Sequence, residues 1–145
     1  MAQHAESTSA GGLVEYLNPE PLHKNPAFTQ VISVSGPVKT VYVGGQNAVN
    51  AQGNVVGKGD IKAQTQQVLA NLREALAAAG AGPEHIIKWN MYLCHGQSLR
   101  EGFEAFQQFW GHRSNPPAIT MSYVSGLANP DYLLEMDAVA VVPLA

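Results

Sequence analysis

Only one cysteine occurs in the 145-residue chain, Cys94, so no internal disulfide can form and a reducing compartment is the natural setting. Charge is also sparse. Charged residues make up 13% of the sequence, and no basic cluster stands out against a formal net charge of -3. Without a positive stripe, charge gives no reason to expect nucleic acid as a partner. No apolar run approaches the roughly 20 residues of a membrane-spanning helix. The polar, small-residue start from Met1 to Gly12 lacks the basic segment and apolar run of a secretory signal. A cytoplasmic protein with no membrane partner is expected. The five histidines, His4, His23, His85, His95 and His112, show no metal-ligand spacing. Cys94 and His95 are adjacent at a strand end, where their side chains point apart, so a Cys-His nucleophile is not indicated.

What the chain does have is apolar bulk. Apolar residues are 46% of the sequence, enough to build a packed core. The length fits one domain. Residues 1–12 read as a flexible tail and 13–145 as a single domain.

Along the chain, Leu13–Leu17 reads as a short strand closed by Asn18, Pro19 and Pro21. Phe28–Val34 and Val38–Val43 are rich in β-formers and are separated by the turn signal Ser35-Gly36-Pro37, so they are expected to form a hairpin. A short strand is expected over Asn54–Val56. After Asp60, a good N-cap, Ile61, Thr65, Val68, Leu69, Leu72, Leu76 and Ala79 repeat at helical spacing until Gly80, Gly82 and Pro83 stop the helix. Ile86–Leu93 reads as a strand with Ile87, Trp89, Met91 and Leu93 on one face. Ser98-Leu99-Arg100-Glu101 is a capping box opening a second helix, with Leu99, Phe103, Phe106 and Trp110 on one side. Ala118–Val124 and Leu133–Val142 are the last strands. In the final one, Leu134, Met136, Ala138 and Ala140 are assigned to the helices and Glu135, Asp137 and Val139 to the opposite face. The sum is an α+β, two-layer domain: a mixed sheet with two helices on one face. The uncovered face, apolar in part, is of the kind that finds a partner subunit.

Four segments resemble the YjgF/Rid family, also described as the liver perchloric-acid-soluble protein family. They are Phe28-Thr29-Gln30; Val43-Gly44-Gly45-Gln46; the helix from Ala63 to Leu72 with its end at Ala77-Ala78-Ala79-Gly80; and Pro117-Ala118 followed by Leu134–Val141. Their order and spacing over residues 28–143 carry the resemblance. It implies a chorismate-mutase-like fold of the bacillus type and a homotrimer with three small-molecule clefts between subunits. It also implies hydrolysis of reactive enamines and imines without metal or organic cofactor. In that family an arginine after the Pro-Ala pair binds the substrate carboxylate, and a glutamate on the last strand lies near the attacking water.

Carried over residue by residue, the glutamate is Glu135 and the cleft glycine is Gly45, with Gly44 in place of the neighbouring serine. The arginine is absent, and Ile119 stands there. The cysteine two residues on is Met121, and the tyrosine of the first motif is Phe28, which has no hydroxyl. Isoleucine offers none of the charge-assisted bonds of a guanidinium fork. Losing such an anchor costs on the order of 2–5 kcal/mol of binding. Arg100 and Arg113 are the cations in sequence that could replace it; otherwise they are solvated surface residues. Glu135 is the candidate general acid/base, or else an interface glutamate paired across subunits. Ile119, Met121 and Tyr123 alternate on one strand face, as an apolar cleft wall with one phenol or as ordinary packing. Phe28 either stacks on a planar ligand or packs. Gly44-Gly45 permits close backbone approach but lacks the features of a phosphate loop. Three functions are compatible: a metal-free imine or enamine hydrolase with an atypical substrate, a non-catalytic metabolite-binding trimer, and an endoribonuclease, which the acidic balance disfavours.

Overall fold

In the computed structural model, residues 11–145 are described. Most of the expected tail therefore lies outside the described residues. Gly12 is already docked, its N–H donating to the Leu144 carbonyl at 3.0 Å.

The elements run β1 (Leu13–Leu17), β2 (Val31–Ser35), β3 (Val38–Gln46), α1 (Ile61–Ala78), a 3-10 turn (Pro83–His85), β4 (Ile86–Cys94), α2 (Leu99–Trp110), β5 (Ala118–Val124) and β6 (Leu134–Pro143). The main sheet has the order β3-β6-β4-β5, with β4 and β5 parallel and the other pairs antiparallel. Both helices belong to the α+β arrangement read from the sequence.

Four local expectations change. The strand before Gly36 pairs with β1, not with β3: Leu17 faces Val31 and Leu13 faces Ser35. Pro37 has no N–H to continue a hairpin ladder, and its carbonyl accepts from Leu144 at 3.0 Å, so β3 goes to β6 instead. The Phe28–Gln30 end of that run is not strand, because the Thr29 N–H donates to Pro117 and its hydroxyl to Pro116. The Asn54–Val56 strand is reduced to a single bridge between Val49 and Val55. In β4 a register shift between Ile86 and Lys88 turns Ile86, rather than Ile87, into the core with Trp89 and Leu93.

Asp60 caps α1 by accepting from the Ala63 N–H at 3.1 Å. Val68, Leu72 and Leu76 are fully buried against Ile86, Trp89 and Ala140, and each buried aliphatic chain contributes about 1.5–3 kcal/mol. Ser98 caps α2 by accepting from the Glu101 N–H at 3.3 Å. This helix buries Ala105, Phe109 and Trp110, while Leu99 and Phe103, expected on its inner side, are exposed at 47% and 44%. Their exposure opens the space described next.

Candidate active site

Strand alternation divides the candidate residues between two faces of one sheet. On the helix side, Met136, Met91 and Met121 lie abreast across β6, β4 and β5, and Ala138, Trp89 and Ile119 form the next row. On the open side the rows are Glu135-Tyr92-Ser122 and Asp137-Asn90-Thr120.

The helix side holds a cavity of about 320 Å³ between the β4-β5 half of the sheet and α2. Phe28, Ile119, Met121, Met91, Phe103 and Phe106 are among its lining residues. Phe28 comes from a distant loop, held there by the two Thr29 hydrogen bonds to Pro116 and Pro117. The structure thus gathers three of the expected site residues, Phe28, Ile119 and Met121. Tyr123 is not among the lining residues; it is exposed and stacks on His95, ring centroids 6.0 Å apart. Neither arginine lines the cavity. Arg113 donates to the carbonyls of Phe109 and Trp110 at 2.9 and 2.8 Å, closing the end of α2, and Arg100 is exposed on its first turn.

The open side holds Glu135. Its Oε1 accepts from Asn47 Nδ2 at 3.3 Å, and the same amide donates to the Leu134 carbonyl at 3.2 Å. Asn47 is itself held from α1: Asn71 donates to the Asn47 and Val49 carbonyls at 3.0 and 2.8 Å, and Gln67 donates to Asn71 at 2.8 Å. Gly45 lies under the carboxylate, where any Cβ would collide with it: its nearest carbon, Cδ, would be 2.8 Å away. The β3-β6 pairing skips Gly44 and Gly45, leaving their backbone out of the regular ladder. A Cβ on Gly44 would meet open space, so that glycine has no such contact. Gln64, fully buried, holds the entry to β6 by donating to the Gly57 and Asp131 carbonyls and accepting from the Leu133 N–H at 2.9 Å.

Sequence reasoning missed Asn47, Asn71, Gln64 and Tyr92. The signal available was polar: amides at Gln64, Gln67 and Asn71 in a helix that needs none for its stripe. Next to Glu135, Asn90 Nδ2 donates to Asp137 Oδ1 at 2.8 Å. The negative charge of Asp137, partial burial and a hydrogen bond to Asp137 raise the Tyr92 phenol above its ordinary value, with Glu135 adding to the same effect. Among the described residues, no three His, Cys, Asp or Glu side chains cluster as a metal site, and no helix is long and apolar enough to cross a membrane.

The endoribonuclease L-PSP family profile matches residues 22–142. The chain belongs to this YjgF/Rid family. A RutC family protein from Pyrococcus abyssi is 31% identical to it over 113 residues, covering 78% of this chain and 84% of the relative. The human 2-iminobutanoate/2-iminopropanoate deaminase is 26% identical over 114 residues, 79% of each chain. Among solved structures, the Rid family protein YyfB of unknown function from Yersinia pestis superposes with a TM-score of 0.77 at 31% identity, covering 89% of this chain and 98% of that one. The chorismate-mutase-like fold expected from the resemblance is thereby shared with Rid relatives. Within the family, imine deamination is represented, in the human relative, at the level of a distant homologue.

Proposed function

We propose that this Rid protein hydrolyses the imine or enamine of a substrate whose recognition does not use a carboxylate, in a cleft built from two subunits of a homotrimer. The observation that carries this reading is the position of Ile119. It lines an apolar cavity where the family resemblance implies arginine, while Glu135 is retained and held by Asn47 against Gly45.

The two halves lie on opposite faces of the sheet, so one substrate reaches both only where one subunit supplies the cavity and a neighbour supplies Glu135. In the proposed step, Glu135 takes a proton from water as the oxygen bonds to the imine carbon, and the C=N pair moves to nitrogen. Glu135 returns that proton to the nitrogen, giving the neutral carbinolamine; it then carries the hydroxyl proton to the amine as the C–N bond breaks, so that the carbonyl forms and ammonia leaves. The sum is R₂C=NH + H₂O → R₂C=O + NH₃. The irregular backbone at Gly44-Gly45 offers polar contacts to the nitrogen end. A metabolite-binding trimer without catalysis is the second reading, favoured by the same loss of arginine. The acidic chain, in which Lys88 is tied to Thr120 at 2.6 Å, supports an RNA-cleaving role less well.

Ammonia release from freshly generated imines, with and without an adjacent carboxylate, tests this. Native protein is expected to favour the uncarboxylated imine, and Ile119→Arg to move preference toward 2-iminopropanoate. Co-assembling Glu135→Gln chains with Met121→Lys chains, each inactive alone, is expected to restore about a quarter of native activity, because one cleft in four then combines two intact halves. No activity of native protein on any imine leaves the binding reading.

A further inference from the structure

The cavity on the helix side is specific in its chemistry. Met136, Met91 and Met121 stand abreast as one row across three strands. Three phenylalanines, Phe28, Phe103 and Phe106, surround the same space. Of the described residues that line it, two, Thr65 and Tyr92, carry a polar side chain. The Thr65 hydroxyl is committed to the Ile61 carbonyl at 2.7 Å. The Tyr92 side chain belongs to the open face, in the row of Glu135 and Ser122. Among the described residues, no charged side chain lines the cavity.

A ligand group placed here therefore finds no free side-chain donor among the described residues, and the buried Thr65 hydroxyl oxygen as the one side-chain oxygen left to accept. A charged or strongly hydrogen-bonding group is excluded on that ground. What the lining favours is a flat ring: thioether sulfurs attract aromatic rings, and phenylalanines stack on them. Size agrees. An apolar cavity of roughly 150 Å³ takes benzene, and this one, at about 320 Å³, has room for a fused bicyclic ring.

We propose that the cavity formed by the methionine row and the three phenylalanines binds a neutral aromatic group of one or two rings, of the indolyl or naphthyl kind. This rests on the reading of Ile119 given above and names the substrate class: imines that carry an aryl side chain.

Indole is the probe, with binding to the native assembly followed by calorimetry and ligand-observed NMR. Native protein is expected to bind indole and to bind indole-3-acetate no more tightly. Met121→Gln keeps the side-chain shape but adds an unpaired amide to the wall, and is expected to weaken indole about tenfold or more. Phe103→Ala, at the exposed rim where folding is little affected, is expected to weaken it as well. Glu135→Gln is expected to leave it unchanged. Failure of indole to bind at its solubility limit overturns the proposal, as would a partner side chain filling the cavity in the assembly, which gives the same result. Equal binding by native protein, Met121→Gln and Phe103→Ala also overturns it, and tighter binding of indole-3-acetate would show a cation in the cavity. Indole binding in a protein that turns over no imine leaves this inference standing and removes only the hydrolytic one. Imine turnover without indole binding does the reverse.

Discussion

The two faces of the main sheet are built from the same strands and differ in almost every physical respect. Along β6, Leu134, Met136, Ala138 and Ala140 are buried beneath the helices, while Glu135 and Asp137 alternate with them onto the uncovered side. The covered face is held by burial, with Trp89 packed on Phe106, Phe109 and Trp110 at ring separations of 5.0 to 6.3 Å. The open face is held by short polar links: Asn47 to Glu135, Asn90 to Asp137 and Lys88 to Thr120. The difference teaches where each function can sit. The apolar cavity lies on the first face and the carboxylates on the second, and under the proposed function one substrate meets both only where another copy brings them together.

The contrast is sharpest between neighbouring residues of β4. Trp89→Ala is expected to destabilise the protein by about 3–5 kcal/mol, since it empties the centre of the aromatic cluster. Asn90→Ala, one residue on and facing the other way, is expected to cost less, about 1.5–3 kcal/mol for its hydrogen bond to the Asp137 carboxylate. Denaturant unfolding of both variants measures the gap, and equal losses would mean that the open face is as tightly packed as the covered one.

Gly45→Val comes next, at about 1–3 kcal/mol, because its side chain meets the Glu135 carboxylate. The cost is expected to fall when Glu135→Ala is added, a coupling that a double-mutant cycle reads directly. Additive losses would show that Gly45 is required for a reason other than room for Glu135.

The smallest effect is expected at alkaline pH. Tyr92 is raised in the folded protein from its ordinary value of 10.0, chiefly by Asp137. A raised group binds its proton more tightly when folded, so its contribution is full below pH 10 and declines as pH rises through the folded value. Phenolate absorbance should therefore show one tyrosine titrating late, and Asp137→Asn should bring it back toward the others. An unchanged late titration in Asp137→Asn would assign the shift to burial instead.

Much of this was legible beforehand, because local rules carried it. The stripe from Ile61 to Leu76 behind Asp60, the cap at Ser98 and the period-two alternation of β6 are statements about neighbours in sequence, and the structure keeps them. So did the family resemblance, which rests on motif order. What escaped depended on distant partners. β1 took the place of β3 beside β2 because Pro37 could not continue the ladder. Leu99 and Phe103 fit a buried stripe by spacing, yet the open space beside β4 and β5 leaves them at a cavity rim.

By itself the sequence determined the element types, the two-layer class, the family, and the chemistry of single positions: a carboxylate at Glu135 and no guanidinium at Ile119. Only the tertiary structure decided that these two stand on opposite faces, that Asn47 and Asn71 link Glu135 to α1, and that Met91, Met121 and Met136 line up beside three phenylalanines. The reason is physical. Periodicity tells which way a side chain points from its own strand, whereas strand order and register decide what it meets there.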